Sequence, residues 1–405
     1  MPVETTAAGQ GGAPAPGGTP QTAATARTAP AVNSNRLLEI EALGQSIWLD
    51  NLTRALLDDG ELARLIAEDG LSGVTTNPTI FEQGMGHSDR YDGAIRELVR
   101  RTDDPQQLFE QLAYRDVRDA ATMFVPTFER TAGRDGYVSF ELPASLAHDA
   151  AGSVAAAEHH RRAIDRANVL IKIPATAAGV RAFEELTARG VNVNVTLLFS
   201  VERYEQIAEA YMSGLERRIH DGLTVERSAS VASFFVSRVD TKVDRELEAL
   251  GRPELRGRAA IANAKLAYEA FQRLHSGPRW EELAAHGAMP QRPLWGSTSI
   301  KNPDYPDTLY VDELIGLHTV NTLPGETLAA ARDHATPART LDRGVDDARA
   351  ALAAVREAGV DFERIVTRDL VAEGVDAFAA SYASLLESLE RRIREAGGHG
   401  ARAAA

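Results

Sequence analysis

Val169-Leu170-Ile171-Lys172-Ile173-Pro174 is the stretch on which the reading of this chain turns. Four aliphatic residues surround one lysine, and a short apolar run of this kind reads as a strand buried on both faces. An unpaired ammonium in such a place is costly. Taken out of water, an amine favours its neutral form, which is also the nucleophilic one. That is the chemistry of an enzyme that forms a Schiff base with a carbonyl substrate. A lone lysine in such a run is more often a charged guard on an exposed edge strand. The neighbouring segments decide between the two uses.

Outward from this run, apolar β-like stretches alternate with amphipathic helical ones. The pattern predicts strands over 46–50, 72–76, 137–142, 169–173, 191–196, 229–235, 293–297 and 319–322. Helical patterns over 61–68, 177–189, 201–218 and 253–274 fall between them. Residues 92–123 read as extra helix between the second and third strands, and 375–395 as a C-terminal helix packing onto the domain. Eight strands separated by helices point to an α/β fold, a (β/α)8 TIM-type barrel. A doubly wound open sheet is the alternative, but no Gly-rich turn follows the first strand.

Read with a period of two, the strands have chemically distinct faces. In Val191-Asn192-Val193-Asn194-Val195-Thr196 the valines share one face, and Asn192, Asn194 and Thr196 the other. In the segment 137–142, Val138, Phe140 and Leu142 form the apolar face and Glu141 lies opposite. With helices covering the apolar faces, Glu141, Lys172, Asn194 and Thr196 converge inside the barrel at the C-terminal strand ends, where such barrels carry their active sites.

Composition bounds the rest. The chain has 405 residues, 44% hydrophobic and 25% charged, with a formal net charge of −14 and no cysteine. Disulfides, thiolate metal sites and a cysteine nucleophile are excluded. The negative charge argues against a broad surface for nucleic acid or anionic membrane. No run of about 18 apolar residues is present, so no membrane span is expected. Residues 1–35 contain no Leu, Ile, Phe, Tyr or Trp and only two charges, Glu4 and Arg27, which predicts a disordered tail ahead of a catalytic domain over 36–398. The tail has no secretory apolar core and little arginine, so a cytoplasmic location is expected.

These residues amount to a resemblance. Gly73-Val74-Thr75-Thr76-Asn77-Pro78-Thr79-Ile80-Phe81 resembles the first signature of the transaldolases. The lysine run with Ala175, Thr176 and Gly179 resembles the lysine signature of the same family, and Asn194-Val195-Thr196-Leu197-Leu198-Phe199-Ser200 its strand-five motif. The likeness runs from about Ser46 to the C-terminal helix. It implies a (β/α)8 barrel with class I aldolase chemistry and neither metal nor cofactor. The implied reaction moves a dihydroxyacetone unit from sedoheptulose 7-phosphate to glyceraldehyde 3-phosphate, giving erythrose 4-phosphate and fructose 6-phosphate in the pentose phosphate pathway. Sugar phosphates are then the partners, for a monomer or homodimer.

The resemblance also implies roles. Lys172 forms the imine; Asp50 handles the proton of the hydroxyl beside the cleaved bond; Glu141 shuttles protons to the carbinolamine through a water held by Thr196. Asn77 and Asn194 hold substrate hydroxyls. Ser233 and Arg238 are phosphate contacts, and Lys301 stands where many relatives carry a second arginine. Read without the resemblance, Asp50 is a helix cap and Thr76-Asn77-Pro78 a turn. Arg292 and Lys242 are substitute phosphate contacts, with solvated surface charge as their commoner reading. Trp48 and Trp295 read as core. Phe235 separates a transaldolase from a fructose 6-phosphate aldolase, which typically has tyrosine there. A non-catalytic sugar-phosphate-binding barrel ranks lower, because Lys172, Glu141 and Asn77 are all present. The C-terminal helix is expected to cross the barrel mouth and keep water from the imine.

Overall fold

The computed structural model describes residues 35–403 of the chain. Of the expected tail over 1–35, all but Asn35 lies outside the described residues. Asn35 itself belongs to the domain. It caps helix Arg36–Ala42, and its amide donates to Asp69 Oδ1 at 2.7 Å.

Eight strands close on themselves in sequence order: β1 (Gln45–Leu49), β2 (Gly73–Thr75), β3 (Tyr137–Glu141), β4 (Val169–Pro174), β5 (Val193–Leu198), β6 (Ser230–Phe235), β7 (Arg292–Gly296) and β8 (Thr319–Leu323). Every neighbouring pair is parallel, including β8 with β1. This is the (β/α)8 barrel that the alternation predicts. Strand ends move by a residue or two, since the ladder rather than the apolar run sets them. β5 moves most. It starts at Val193, because Asn192 instead donates to Ala167 O and accepts from Ala229 N, stitching the N-terminal ends of three strands. It then continues through a register shift at Val195/Leu198, where Leu197 takes φ 58°.

The helical readings hold with two breaks. The segment 253–274 is a short turn, Pro253–Leu255, and then helix Ala259–Leu274. Between them Arg256 is extended and the Gly257 amide is taken by Asp244 Oδ1 at 3.0 Å. The insertion between β2 and β3 carries helices Asp92–Leu98 and Pro105–Arg130. The C-terminal helix, Leu370–Ala403, is longer at both ends than its periodicity suggests and packs along helix Pro78–His87.

Two cores result from the two strand faces. Val138, Phe140, Ile171, Ile173, Val193 and Val195 pack outward under the helices. Trp48, Tyr137, Leu170, Val231, Leu294 and Val320 fill the N-terminal half of the barrel interior. Trp48 and Trp295 are both fully buried, as expected of core residues; the Trp48 indole donates to Asp135 Oδ1 at 2.8 Å. The apolar plug makes the barrel a closed-bottomed cup. Above it, the inward positions turn polar.

Candidate active site

The loop after β4 explains why the lysine run ends as it does. Thr176 caps the next helix by accepting from Gly179 N at 3.0 Å. A Cβ at Gly179 would lie 1.9 Å from Pro174 O, so only glycine lets the helix start this close to the strand. Lys172 is thereby held two residues before a fixed strand end, inward-facing and 4% exposed. It is not an edge guard. Its Nζ donates to Thr76 O at 3.1 Å and lies 3.4 Å from Glu141 Oε2, the pairing that the β3–β4 register sets.

Glu141 is buried with it. Burial pushes its carboxyl up to about 7; the Lys172 ammonium opposes the shift and the Asp50 charge adds to it. Among the described residues Thr196 Oγ1 is buried with no hydrogen-bond partner, and Glu141 Oε2 with none beyond its ion pair to Lys172. Such orphaned groups are rare in native interiors and are expected where a site is built for another molecule.

Around the pair, each wall has its own support. Asp50 is not a helix cap: Thr53 caps the following helix, Arg54–Asp58. The Asp50 carboxylate instead accepts from Thr75 Oγ1 at 2.7 Å, and Thr75 Oγ1 lies 2.8 Å from Thr322 Oγ1. Since the single Thr75 proton goes to the carboxylate, Thr322 must donate to Thr75. Asn77 does make a turn, capping helix Pro78–His87 through Ile80 N at 3.0 Å. Only its Oδ1 is used; the amide Nδ2 has no protein partner among the described residues. Opposite, Asn194 donates to Ser139 Oγ at 3.0 Å and accepts from Ser233 Oγ at 2.6 Å, which fixes its amide orientation. The Ser233 hydroxyl is thus committed to Asn194 at the depth of Lys172.

Arg238 follows β6. Its guanidinium lies 5.2 Å from the centre of the Phe235 ring, and Phe235 packs edge-on against Phe199. Burial lowers the guanidinium's proton affinity, while Asp50, Glu141 and Glu373 raise it, so Arg238 looks onto the same site. Among the described residues no carboxylate pairs with it. Lys301 is exposed and donates to Ser299 Oγ at 2.9 Å. Both substitutes for it already have carboxylate partners. Arg292 is at the other end of the barrel, paired with Asp135 at 3.3 Å and bonded to Arg134 O. Lys242 pairs with Glu373 and with Asp369 at 3.6 Å. Arg292 is largely buried, whereas Lys242 and Glu373 form a surface ion pair between two helices.

The sequence reading missed Thr75, Ser139, Thr322 and Phe378. Ser139 shares the Glu141 face by period two, and Thr75 is two residues from Asn77, so both were within reach of the same rule. Phe378 had no such signal. It comes from the C-terminal helix and sets its ring centre 5.8 Å from Lys172 Nζ.

Comparison with known proteins identifies the family. Residues 47–389 match the sequence model of the Transaldolase/Fructose-6-phosphate aldolase family. The chain is 49% identical to a transaldolase of Thiobacillus denitrificans over 354 residues, covering 87% of this chain and 98% of that protein. It is 47% identical to one of Acidothermus cellulolyticus over 368 residues, 89% and 99% of the two chains. To one of a Parafrankia species it is 44% identical over 367 residues, 90% and 99%. A closed barrel with a buried, carboxylate-paired lysine and a family match over most of the chain lead to one assignment: the chain belongs to the transaldolase/fructose-6-phosphate aldolase family.

Proposed function

We propose that the chain performs the transaldolase reaction with Lys172 as the carrier of the dihydroxyacetone unit. The observation that carries this reading is the buried Lys172–Glu141 pair, an amine 3.4 Å from a carboxyl whose proton affinity is tuned to neutrality. The amine attacks the ketose carbonyl, and the carbinolamine loses water with a proton supplied from Glu141. Asp50, held by Thr75, takes the proton of the hydroxyl beside the bond to be broken. The carbon–carbon bond then cleaves, its electrons pass to the imine, and the aldehyde leaves. The same steps reversed add the unit to an acceptor aldehyde. Thr196 holds the water that Glu141 uses; Asn194, oriented by Ser139 and Ser233, and Asn77 hold the hydroxyls of the three-carbon unit. Phe235 supports transfer over the aldolase reading.

Arg238 is the phosphate anchor, because a guanidinium grips phosphate oxygens bidentately and this one has no carboxylate of its own among the described residues. Arg238→Ala should raise KM for phosphorylated sugars by about tenfold or more, whereas exposed Lys301→Ala should change it about threefold or less. Steady-state kinetics with fructose 6-phosphate check both, and a larger effect at Lys301 would reverse the assignment. As expected from the sequence, we take the enzyme to be a monomer or homodimer of the cytoplasm. No described helix is long and apolar enough to cross a membrane.

The test of function is glyceraldehyde 3-phosphate release from fructose 6-phosphate, with and without erythrose 4-phosphate. Sustained turnover is expected only with the acceptor, since the unit stays on Lys172 until an aldehyde collects it. Equal turnover in its absence would reassign the chain to the aldolase branch.

A further inference from the structure

The C-terminal helix has one face turned to the barrel mouth. Gly374, Phe378, Leu385, Ser388 and Leu389 are buried at helical spacing, while Ala377, Ala379, Ala380 and Ala383 between them are exposed. The helix is pinned at this rotation. A Cβ at Gly374 would lie 2.7 Å from Leu197 Cδ2, so the helix backbone rests directly on a β5 side chain. Ser381 Oγ meets Thr79 Oγ1 at 2.9 Å, and Lys242 pairs with Glu373 one turn before Phe378. Phe378 is the aromatic residue that this seating delivers over Lys172 Nζ.

Two physical effects follow at that nitrogen. An aromatic face within about 6 Å attracts a cation, and the protonated imine carries its charge on this atom. At 5.8 Å from Nζ the ring is also placed to close one approach of water to the imine. Hydrolysis needs water at the imine carbon. The enamine carbon left by cleavage first takes up a proton; water then adds to the iminium carbon and gives up a proton, the carbon–nitrogen bond breaks, and free dihydroxyacetone leaves a regenerated amine.

We infer that Phe378 sets the partition between transfer and hydrolysis of the three-carbon unit, by shielding the Lys172 imine from water. The inference rests on Lys172 as the carrier. Phe378 is a specificity-determining residue, not the source of a proton or electron pair. Removing the whole helix would also uncover Leu385 and Leu389, both fully buried, so a point substitution is the cleaner probe.

Phe378→Ala should raise acceptor-independent release of dihydroxyacetone, relative to transfer, by about tenfold. Phe378→Leu keeps most of the bulk and should give a smaller rise in the same ratio; it also serves if the alanine protein does not fold. Both variants should still form the three-carbon adduct on borohydride reduction. An unchanged ratio in a folded variant that forms the adduct would overturn the inference. Absence of the adduct in the unsubstituted protein would overturn the Lys172 reading, and this inference with it.

Discussion

Lys172→Met should lower kcat/KM by at least about 10⁴-fold, the scale seen when a covalent nucleophile is removed, and should abolish the borohydride-trapped adduct. Methionine suits the test because it is unbranched and of similar length, so the surrounding aliphatic packing is kept. The substitution leaves Glu141 without its cation. Because burial already raises the Glu141 carboxyl to about 7, it can stay protonated and neutral at pH 6 to 7, and the fold is expected to survive. The trapping experiment is unusually clean in this chain. Its lysines are Lys172, Lys242, Lys265 and Lys301, and the last three are committed to Glu373, Glu313 and Ser299 respectively. Mass spectrometry of the reduced protein with fructose 6-phosphate should find one added three-carbon unit, on Lys172. Activity within tenfold of the parent, or an adduct on another lysine, would falsify the assignment.

The barrel was legible because its signals are local. A strand that is apolar on one face and helix-covered there repeats every second residue, and this periodicity survives whatever the loops do. The same rule placed Glu141, Lys172, Asn194 and Thr196 on one face, since the parallel register sets Glu141, Lys172 and Asn194 side by side, with Thr196 two residues further along β5. What the sequence withheld depends on partners distant along the chain. Whether Asp50 caps a helix or faces the site is decided by Thr53, which takes the cap, and by Thr75, which takes the carboxylate. Arg292 and Lys242 could be read as free cations only because Asp135 and Glu373 lie far away in sequence and close in space. Phe378 is the extreme case. Its position over Lys172 follows from how a long helix is seated on the finished barrel, and no motif around the lysine encodes it.

Glu141→Gln separates the proton shuttle from the fold. The carboxyl of Glu141 titrates near 7 in the folded chain, against an ordinary value of 4.5. In the free enzyme it must be ionised to take the proton that Lys172 sheds on attacking the ketose, so kcat/KM should rise with pH through about 7. Glutamine is nearly isosteric but can neither accept nor deliver that proton. The variant should lose about 10²- to 10⁴-fold in kcat and should lose the limb near 7. Stability should move the other way. A buried carboxyl with a raised pKa binds a proton in the folded chain that the unfolded chain has released between pH 4.5 and 7, so its burial destabilises the fold increasingly as pH rises through that window. Glutamine carries no such penalty, and melting at pH 8 should show the variant at least as stable as the parent. Lost activity with retained stability would mark Glu141 as a proton carrier. A protein that melts much earlier would instead mark the Lys172–Glu141 ion pair as a structural prop, and a limb still present near 7 would assign that titration to another group.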